Sequence, residues 1–154
     1  EEGFLANGSF VLFTLDDFVP EHPNSSAQLN GVGEGVATDT LLIRAARRGR
    51  VDLMLILINQ LRINPNQARA FDGETPLNVA SSKGHVDVVE LLLASGADVN
   101  QALTSDGSTS LYIASQEGHV DVVELLLASG ADVNQARTSN GATALYIYHH
   151  LKVM

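Results

Sequence analysis

Apolar residues in the second half of the chain occur in short, dense runs bounded by glycine and polar residues. The run from Val86 to Ser95 is apolar at most positions, namely Val88, Val89, Leu91, Leu92 and Leu93. On a helix these side chains cover most of the circumference, so the pattern predicts a helix buried on more than one side, as in a stack. Gly96 follows the run and is expected to end the helix.

A shorter helix is predicted immediately before this one. Asp72 and Gly73 are typical of a tight turn, because glycine accepts positive φ and aspartate bonds its own backbone. Thr75 suits the N-cap of the following helix, and Pro76 suits its first position, where the missing N–H costs nothing. Gly84 can adopt the left-handed conformation that ends a helix. The pattern thus predicts a turn followed by two helices.

This unit of a turn and two helices is repeated. Gly84 to Ala102 reads GHVDVVELLLASGADVNQA, and Gly118 to Ala136 has the same 19 residues, 34 positions later (118 − 84 = 34). A fixed period of this length is typical of stacked units, each of which cannot bury its hydrophobic face alone. The sequence therefore predicts a solenoid of repeats.

The stretch from Asp72 to Asn100, DGETPLNVASSKGHVDVVELLLASGADVN, resembles an ankyrin repeat. The resemblance covers residues 38–154 and implies an all-α solenoid of helix–turn–helix units joined by β-turn loops. It also implies that the turns and the first helices form a concave face, and that this face binds other proteins.

The Thr-Pro-Leu-His tetrapeptide of that family is altered in every unit. Its histidine position holds Asn78, Tyr112 and Tyr146 in turn. Asn78 is expected to replace part of the hydrogen bonding between repeats, whereas the tyrosines should act differently. His85 and His119 recur with the period at the Gly-His step between the two helices, so we expect their role to be structural.

The repeats divide the second part of the chain into a degenerate N-terminal capping repeat, two full repeats and a truncated fourth repeat. Their boundaries are residues 38–70, 71–104, 105–138 and 139–154. The second helix of the capping repeat is expected to carry one extra residue, with Leu61 in place of the glycine that ends it. Because the fourth repeat lacks a second helix, the apolar face of the helix over residues 122–129 should be only partly covered.

Residues 1–37 do not match the repeat and are predicted to form an acidic, phenylalanine-rich N-terminal arm followed by a linker. Asn7 and Gly8 predict a two-residue hairpin turn between short strands; the alternative is an irregular arm whose aromatic residues cover the first repeat. Residues 20–37, rich in Pro, Ser and Gly, are typical of a linker. Gly31 to Gly35 lacks the spacing of a nucleotide-binding loop.

Charge changes sign twice along the chain, whose formal net charge is −9. Residues 1–37 carry six acids and no base, residues 38–70 six bases and two acids, and residues 71–154 three bases and ten acids. This balance argues against nucleic-acid binding, which needs clustered Lys and Arg. No apolar run approaches the ~18–20 residues of a membrane span, so we expect no membrane insertion. Glu1 and Glu2 stand where a signal peptide carries basic residues, and we therefore expect an intracellular, cytoplasmic location.

No residue pattern predicts catalysis, a cofactor or a metal site. Cysteine is absent, which excludes thiol chemistry, and there is no GxSxG, HExxH or P-loop motif. His149 and His150 are adjacent, so on a helix they diverge by ~100° and are poorly placed to bind one metal ion. The absence of these patterns predicts a non-catalytic chain, and the resemblance to ankyrin repeats implies that it is a module that binds another protein.

The resemblance places the candidate partner-binding residues in the turns and at the ends of the first helices. These positions differ between repeats whose second helices are identical, which favours a role in recognition. They are Arg47, Arg48, Phe71, Asp72, Glu74, Ser82, Lys83, Ser105, Asp106, Ser108, Gln116 and Glu117. Phe71 is the best aromatic anchor among them, because binding hot spots are enriched in aromatic residues and arginine.

Other hypotheses remain open. The acidic arm could mask the basic first repeat and so regulate binding, and an uncovered C-terminal face could mediate self-association. The chain could also be a non-catalytic part of a longer ankyrin array. In the family, an asparaginyl hydroxylase modifies asparagines that have a leucine eight positions before them and an acid two before; Asn100 and Asn134 match this context.

Overall fold

The computed structural model describes residues 2–4, 10–12 and 39–151 of the chain. Two short strands near the N-terminus, β1 (Glu2–Phe4) and β2 (Phe10–Leu12), are followed by a series of helices. The helices are α1 (Leu41–Arg47), α2 (Val51–Leu55), α3 (Pro76–Lys83), α4 (Val86–Ala94), α5 (Ser110–Glu117), α6 (Val120–Ala128) and α7 (Ala144–Leu151). A π-helical turn, Ile56–Gln60, continues α2.

The helices form the predicted all-α solenoid. The first helices α1, α3, α5 and α7 pack in one row, and the second helices α2, α4 and α6 pack in another. One continuous hydrophobic core lies between the rows, and the largest of its fully buried side chains include Leu42, Met54, Leu77, Leu92 and Leu126. Stacking therefore buries the helices on several sides, as the apolar run of each second helix predicts.

A threonine is the N-cap of each of the helices α1, α3 and α5. The hydroxyls of Thr40, Thr75 and Thr109 accept hydrogen bonds from the backbone N–H three residues later. Asn78 completes a capping box, because its side chain accepts the N–H of Thr75. Its amide also donates to Ser110 Oγ at 3.0 Å, so it bonds the next repeat, as expected at a position where the family carries histidine.

Histidine side chains join each second helix to the repeat before it. Nε2 of His85 donates to the carbonyl oxygen of Arg47 at 3.2 Å, and Nε2 of His119 donates to that of Ser82 at 3.0 Å. Each acceptor lies at the end of a first helix, where carbonyl groups lack partners within the helix. The two rings therefore satisfy helix ends across the repeat boundary, which confirms the structural role expected of them.

The loops after the second helices are joined by an asparagine ladder. The side chain of Asn66 donates to the carbonyl oxygen of Gly96 at 3.0 Å and accepts from the N–H of Asp98 at 2.6 Å. Asn100 makes the same two bonds one repeat later, to Gly130 at 3.4 Å and from Asp132 at 2.8 Å. The ladder fixes the spacing of successive repeats on this side of the stack.

The extra residue of the first repeat lies inside its second helix. Over Ile56–Gln60 the backbone hydrogen bonds join residues five positions apart instead of the four of an α-helix. One example is the bond from the N–H of Leu61 to the carbonyl oxygen of Ile56 at 3.1 Å. The prediction that Leu61 takes the place of the terminating glycine is wrong. Arg62 adopts the left-handed conformation (φ 55°) that Gly96 adopts in the next repeat, because the wider turn absorbs the insertion before this point.

The two N-terminal strands pair antiparallel, with Phe4 opposite Phe10 and Glu2 opposite Leu12. A two-residue turn at Asn7 and Gly8 would instead place Phe4 opposite Val11, so the pairing differs from the predicted one by one residue. The turn and the predicted linker, residues 20–37, lie outside the described residues.

The C-terminal end of the stack exposes apolar surface. Leu145 of α7 is 47% exposed, whereas Leu77 and Leu111, at the same position of the two preceding repeats, are 1% and 2% exposed. Val120 of α6 is also exposed.

The expectation that the apolar face of residues 122–129 is only partly covered is wrong. Val122, Val123 and Leu126 of α6 are 1%, 0% and 0% exposed, the same as their equivalents in α4. With α7 packed against α5, this face is thus covered as fully as in the preceding repeat.

Candidate protein-binding face

The candidate partner-binding residues lie on the turns that precede the first helices and on the last turns of those helices. Phe71 projects from the turn before α3 and is 80% exposed. Lys83, Ser105, Gln116 and Glu117 are also exposed, while Arg48 and Ser82 are half-buried. These side chains are accessible to a partner on the face that the first helices form.

Five charged residues on this face form an ion-pair cluster: Asp39, Arg47, Arg69, Asp72 and Glu74. Arg47 bonds Asp39 at 2.7 Å and lies 3.6 Å from Glu74. Arg69 bonds Asp39 at 2.6 Å and Asp72 at 2.9 Å and lies 2.8 Å from Glu74. The cluster links the start of the first repeat to the turn of the second, and the arginines hold three carboxylates together.

Arg69 was not among the predicted site residues. The signal for it in the sequence is that an arginine recurs two periods later, at Arg137. The two arginines pair differently, because Arg69 contacts Asp72 in its own turn and Arg137 contacts Asp106 in the preceding turn. The equivalent residue between them is Leu103, so the pattern is interrupted and is hard to recognise without the stack.

The cluster shifts the pKa values of its two second-repeat carboxyls in opposite directions. Hydrogen bonds from Arg69 hold the pKa of Asp72 below its ordinary value of 3.8. Burial raises the pKa of Glu74 above its ordinary value of 4.5, since the lost hydration outweighs the attraction of Arg69 and Arg47. Oε2 of Glu74 receives no directed hydrogen bond within the described residues, which agrees with a raised pKa for Glu74 beside a lowered pKa for Asp72.

Replacing these two carboxyls is expected to have different effects on stability at neutral pH. Asp72→Asn should lower the free energy of unfolding at neutral pH, and the loss should shrink as pH falls below 3.8 through the pKa of folded Asp72. Glu74→Gln should leave stability unchanged or raise it at neutral pH, because the raised pKa favours folding only in acid. Urea unfolding followed by circular dichroism across this pH range measures both; a loss of stability in both variants at neutral pH would contradict the assignment.

A second charged group lies on the next turn. The guanidinium of Arg137 pairs with Asp106, lies 4.8 Å from the centre of the Tyr112 ring and donates to the Tyr112 hydroxyl at 3.3 Å. Tyr112 therefore binds an arginine from the following turn rather than bonding the neighbouring repeat as Asn78 does, which confirms that this tyrosine acts differently. The side chain of Tyr146 lies outside the described set.

Ser108 requires a correction. It is 4% exposed, and both its N–H and its hydroxyl donate to the Asp106 carboxylate at 2.9 Å. An aspartate that bonds the backbone two residues later is a common turn device. Ser108 thus shapes the turn and offers a partner almost no surface, so it is removed from the candidate contact set.

Neither a metal nor a membrane site was found in the part of the chain that the structure describes. That part contains no group of three or more His, Asp or Glu residues arranged to hold a metal ion. Among the same residues, no helix has the length and apolar character needed to cross a bilayer.

Comparison with known proteins identifies the family. The family model for ankyrin repeats matches three overlapping stretches, residues 21–102, 42–137 and 101–148. The chain belongs to the ankyrin repeat family. Ankyrin repeats are generally protein–protein interaction modules, and the family is typically non-catalytic.

One curated relative contains a similar ankyrin segment. Alpha-latrocrustotoxin-Lt1a of Latrodectus tredecimguttatus is 41% identical over 64 residues, which are 42% of this chain and 4% of the toxin. The similarity thus covers a small part of a far longer protein, and it concerns repeats of the ankyrin type.

Proposed function

We propose that this chain is a non-catalytic protein-interaction module that binds a protein partner on the concave face formed by its turns and first helices. The observation that carries the proposal is Phe71, an aromatic side chain that is 80% exposed on a turn. The turn is held by Asp72, which accepts from Arg69 and from the N–H of Glu74. An exposed aromatic on a rigid support binds with little loss of conformational entropy.

The ion pairs divide the candidate residues into two groups. Arg47, Asp72, Glu74 and Asp106 already have charged partners within the chain, so their proposed role is to hold the turns in position. The proposed contacts with the partner come from accessible side chains near them: Phe71, Arg48, Ser82, Lys83, Ser105, Gln116 and Glu117.

Phe71→Ala is expected to weaken partner binding by about tenfold or more, the usual effect of removing an aromatic hot spot. Leu61→Ala is the matched control, because Leu61 is also an exposed apolar residue (63%) but lies after the second helix of the first repeat. Quantitative pull-down from an extract of the source cells, with both variants shown to be folded by circular dichroism, measures the effect. A partner recovered equally with wild type and Phe71→Ala would contradict the proposed face.

Masking of the first repeat by residues 1–37 remains a second proposal. Arg47 and Arg69 are already paired with Asp39, Asp72 and Glu74, so these two arginines are less available to an acidic arm than the sequence suggests. Most of the arm lies outside the described residues. Self-association through the exposed C-terminal face and membership of a longer array likewise remain predictions.

Asparagine hydroxylation is the remaining alternative, and the structure separates its two candidate sites. The amide of Asn100 bridges two repeats, whereas the side chain of Asn134 is exposed and makes no hydrogen bond to another described residue. Co-expression with an asparaginyl hydroxylase should therefore add one oxygen atom to Asn134 before Asn100. Intact-mass analysis, with Asn134→Gln as control, tests this; an unchanged mass would rule the modification out.

A further inference from the structure

A groove lies on the second-helix side of the stack, between α4 and α6. Its volume is about 370 Å³, and its lining includes Leu93, Ala94, Val99 and Leu125, with Glu90 and Ser129 as polar members. None of these residues belongs to the proposed concave contact set. The groove is therefore a separate surface, built by the second helices.

The groove combines apolar side chains with polar surface, and its polar members include an unpaired carboxylate. The hydroxyl of Ser129 donates to the carbonyl oxygen of Leu125 at 2.9 Å, so it is already satisfied inside its own helix. Glu90 is exposed and has no ion pair within the described residues. An occupant that adds an apolar side chain and a cation would satisfy both parts of this surface.

The surroundings of the groove carry charge of one sign. The two identical segments that build this side of the stack, residues 84–102 and 118–136, contain no Lys or Arg and six acids, namely Asp87, Glu90, Asp98, Asp121, Glu124 and Asp132. Glu124 precedes Leu125 of the groove and, like Glu90, has no ion pair among the described residues. The first repeat carries Leu55 at the position of Glu90, so the acidic pair belongs to the second and third repeats.

We propose that this groove docks a basic segment of a partner protein in which one or two aliphatic side chains are flanked by Lys or Arg. The aliphatic side chains lie between Leu93 and Leu125, and the flanking cations lie over Glu90 and Glu124. Charge complementarity selects this occupant, since an acidic or neutral segment would leave both carboxylates unpaired beside it. The concave face stays accessible, so the chain can hold two proteins at once.

The test uses a fluorescein-labelled peptide of two leucines flanked by two lysines on each side, with both ends capped. Its binding to the full chain is measured by fluorescence anisotropy at low salt. Ala94→Trp fills the groove and is expected to weaken binding by about tenfold. Ala128→Trp is the matched control, because Ala128 is exposed at the same position of α6 but is not part of the lining; its binding should equal that of wild type.

A second peptide, with serines in place of the leucines, separates groove binding from attraction by charge alone. It is expected to bind about tenfold more weakly, because it has no apolar side chain to bury. Binding of the leucine peptide should also weaken when salt is added, since the flanking lysines act through screened charges. No binding of the leucine peptide, equal binding of both peptides, or equal losses in the two tryptophan variants would each overturn the proposal.

Discussion

Leu111→Ala is expected to lower the free energy of unfolding by about 3 kcal/mol, whereas Leu145→Ala should lower it by about 1 kcal/mol or less. The two leucines occupy the same position of successive first helices. Leu111 is 2% exposed, so its truncation leaves a cavity that the packed helices around it cannot close; Leu145 is 47% exposed, and water fills the space left by its side chain. Urea unfolding followed by circular dichroism compares the two.

Leu77→Ala provides the matched control for this comparison, because Leu77 is 1% exposed at the same position one repeat earlier. It should behave like Leu111→Ala. If Leu145→Ala were as costly as the two internal variants, the C-terminal face would have to be covered in solution, which would support self-association of the chain.

Gly107→Ala is expected to lower the free energy of unfolding by about 2–3 kcal/mol, and Gly141→Ala by about 1 kcal/mol. Both glycines have positive φ, 76° and 68°, so both variants carry the backbone strain of an L-residue in the left-handed region. At Gly107 the new Cβ would lie 2.7 Å from the backbone nitrogen of Thr138, which cannot move without displacing the next turn. A Cβ added at Gly141 would have no described atom within 4 Å beyond the residue itself and its chain neighbours.

The difference between the two losses of unfolding free energy gives the cost of the steric clash alone, because the backbone strain is common to both variants. Thermal unfolding of the two proteins side by side measures it, with Ser105→Ala in the same turn as a control that changes neither φ nor packing. Equal destabilisation by Gly107→Ala and Gly141→Ala would mean that the contact between successive turns is looser than described.

The features that depend only on residues close together in the sequence could be predicted from it. Thr75 caps α3, Pro76 begins it, and Gly84 ends it in the left-handed conformation, because each role follows from the local chemistry of the residue. The buried faces of α4 and α6 follow equally from their apolar runs. An exact repeat then extends these assignments from one unit to the next.

The remaining features depend on contacts between repeats or on backbone geometry. The extra residue in the first repeat was predicted, but its absorption in a π-helical turn, which moves the left-handed position to Arg62, could not be read from composition. Arg69 reaches Asp39 and Glu74 only when two turns are stacked. Ser108 looks like an ordinary surface serine until the turn buries it.

The contacts at the repeat boundaries have a consequence for how such a chain changes length over generations. A Cβ added at Gly84 would clash with the ring of His119, and one added at Gly107 would clash with Thr138, so each of these close approaches joins residues that lie about one period apart. Duplication of a whole 34-residue unit in the gene regenerates both halves of these two contacts, because their residues recur with the period. Unequal recombination can thus lengthen the array while these contacts are kept, and the area offered to binding partners changes in discrete steps.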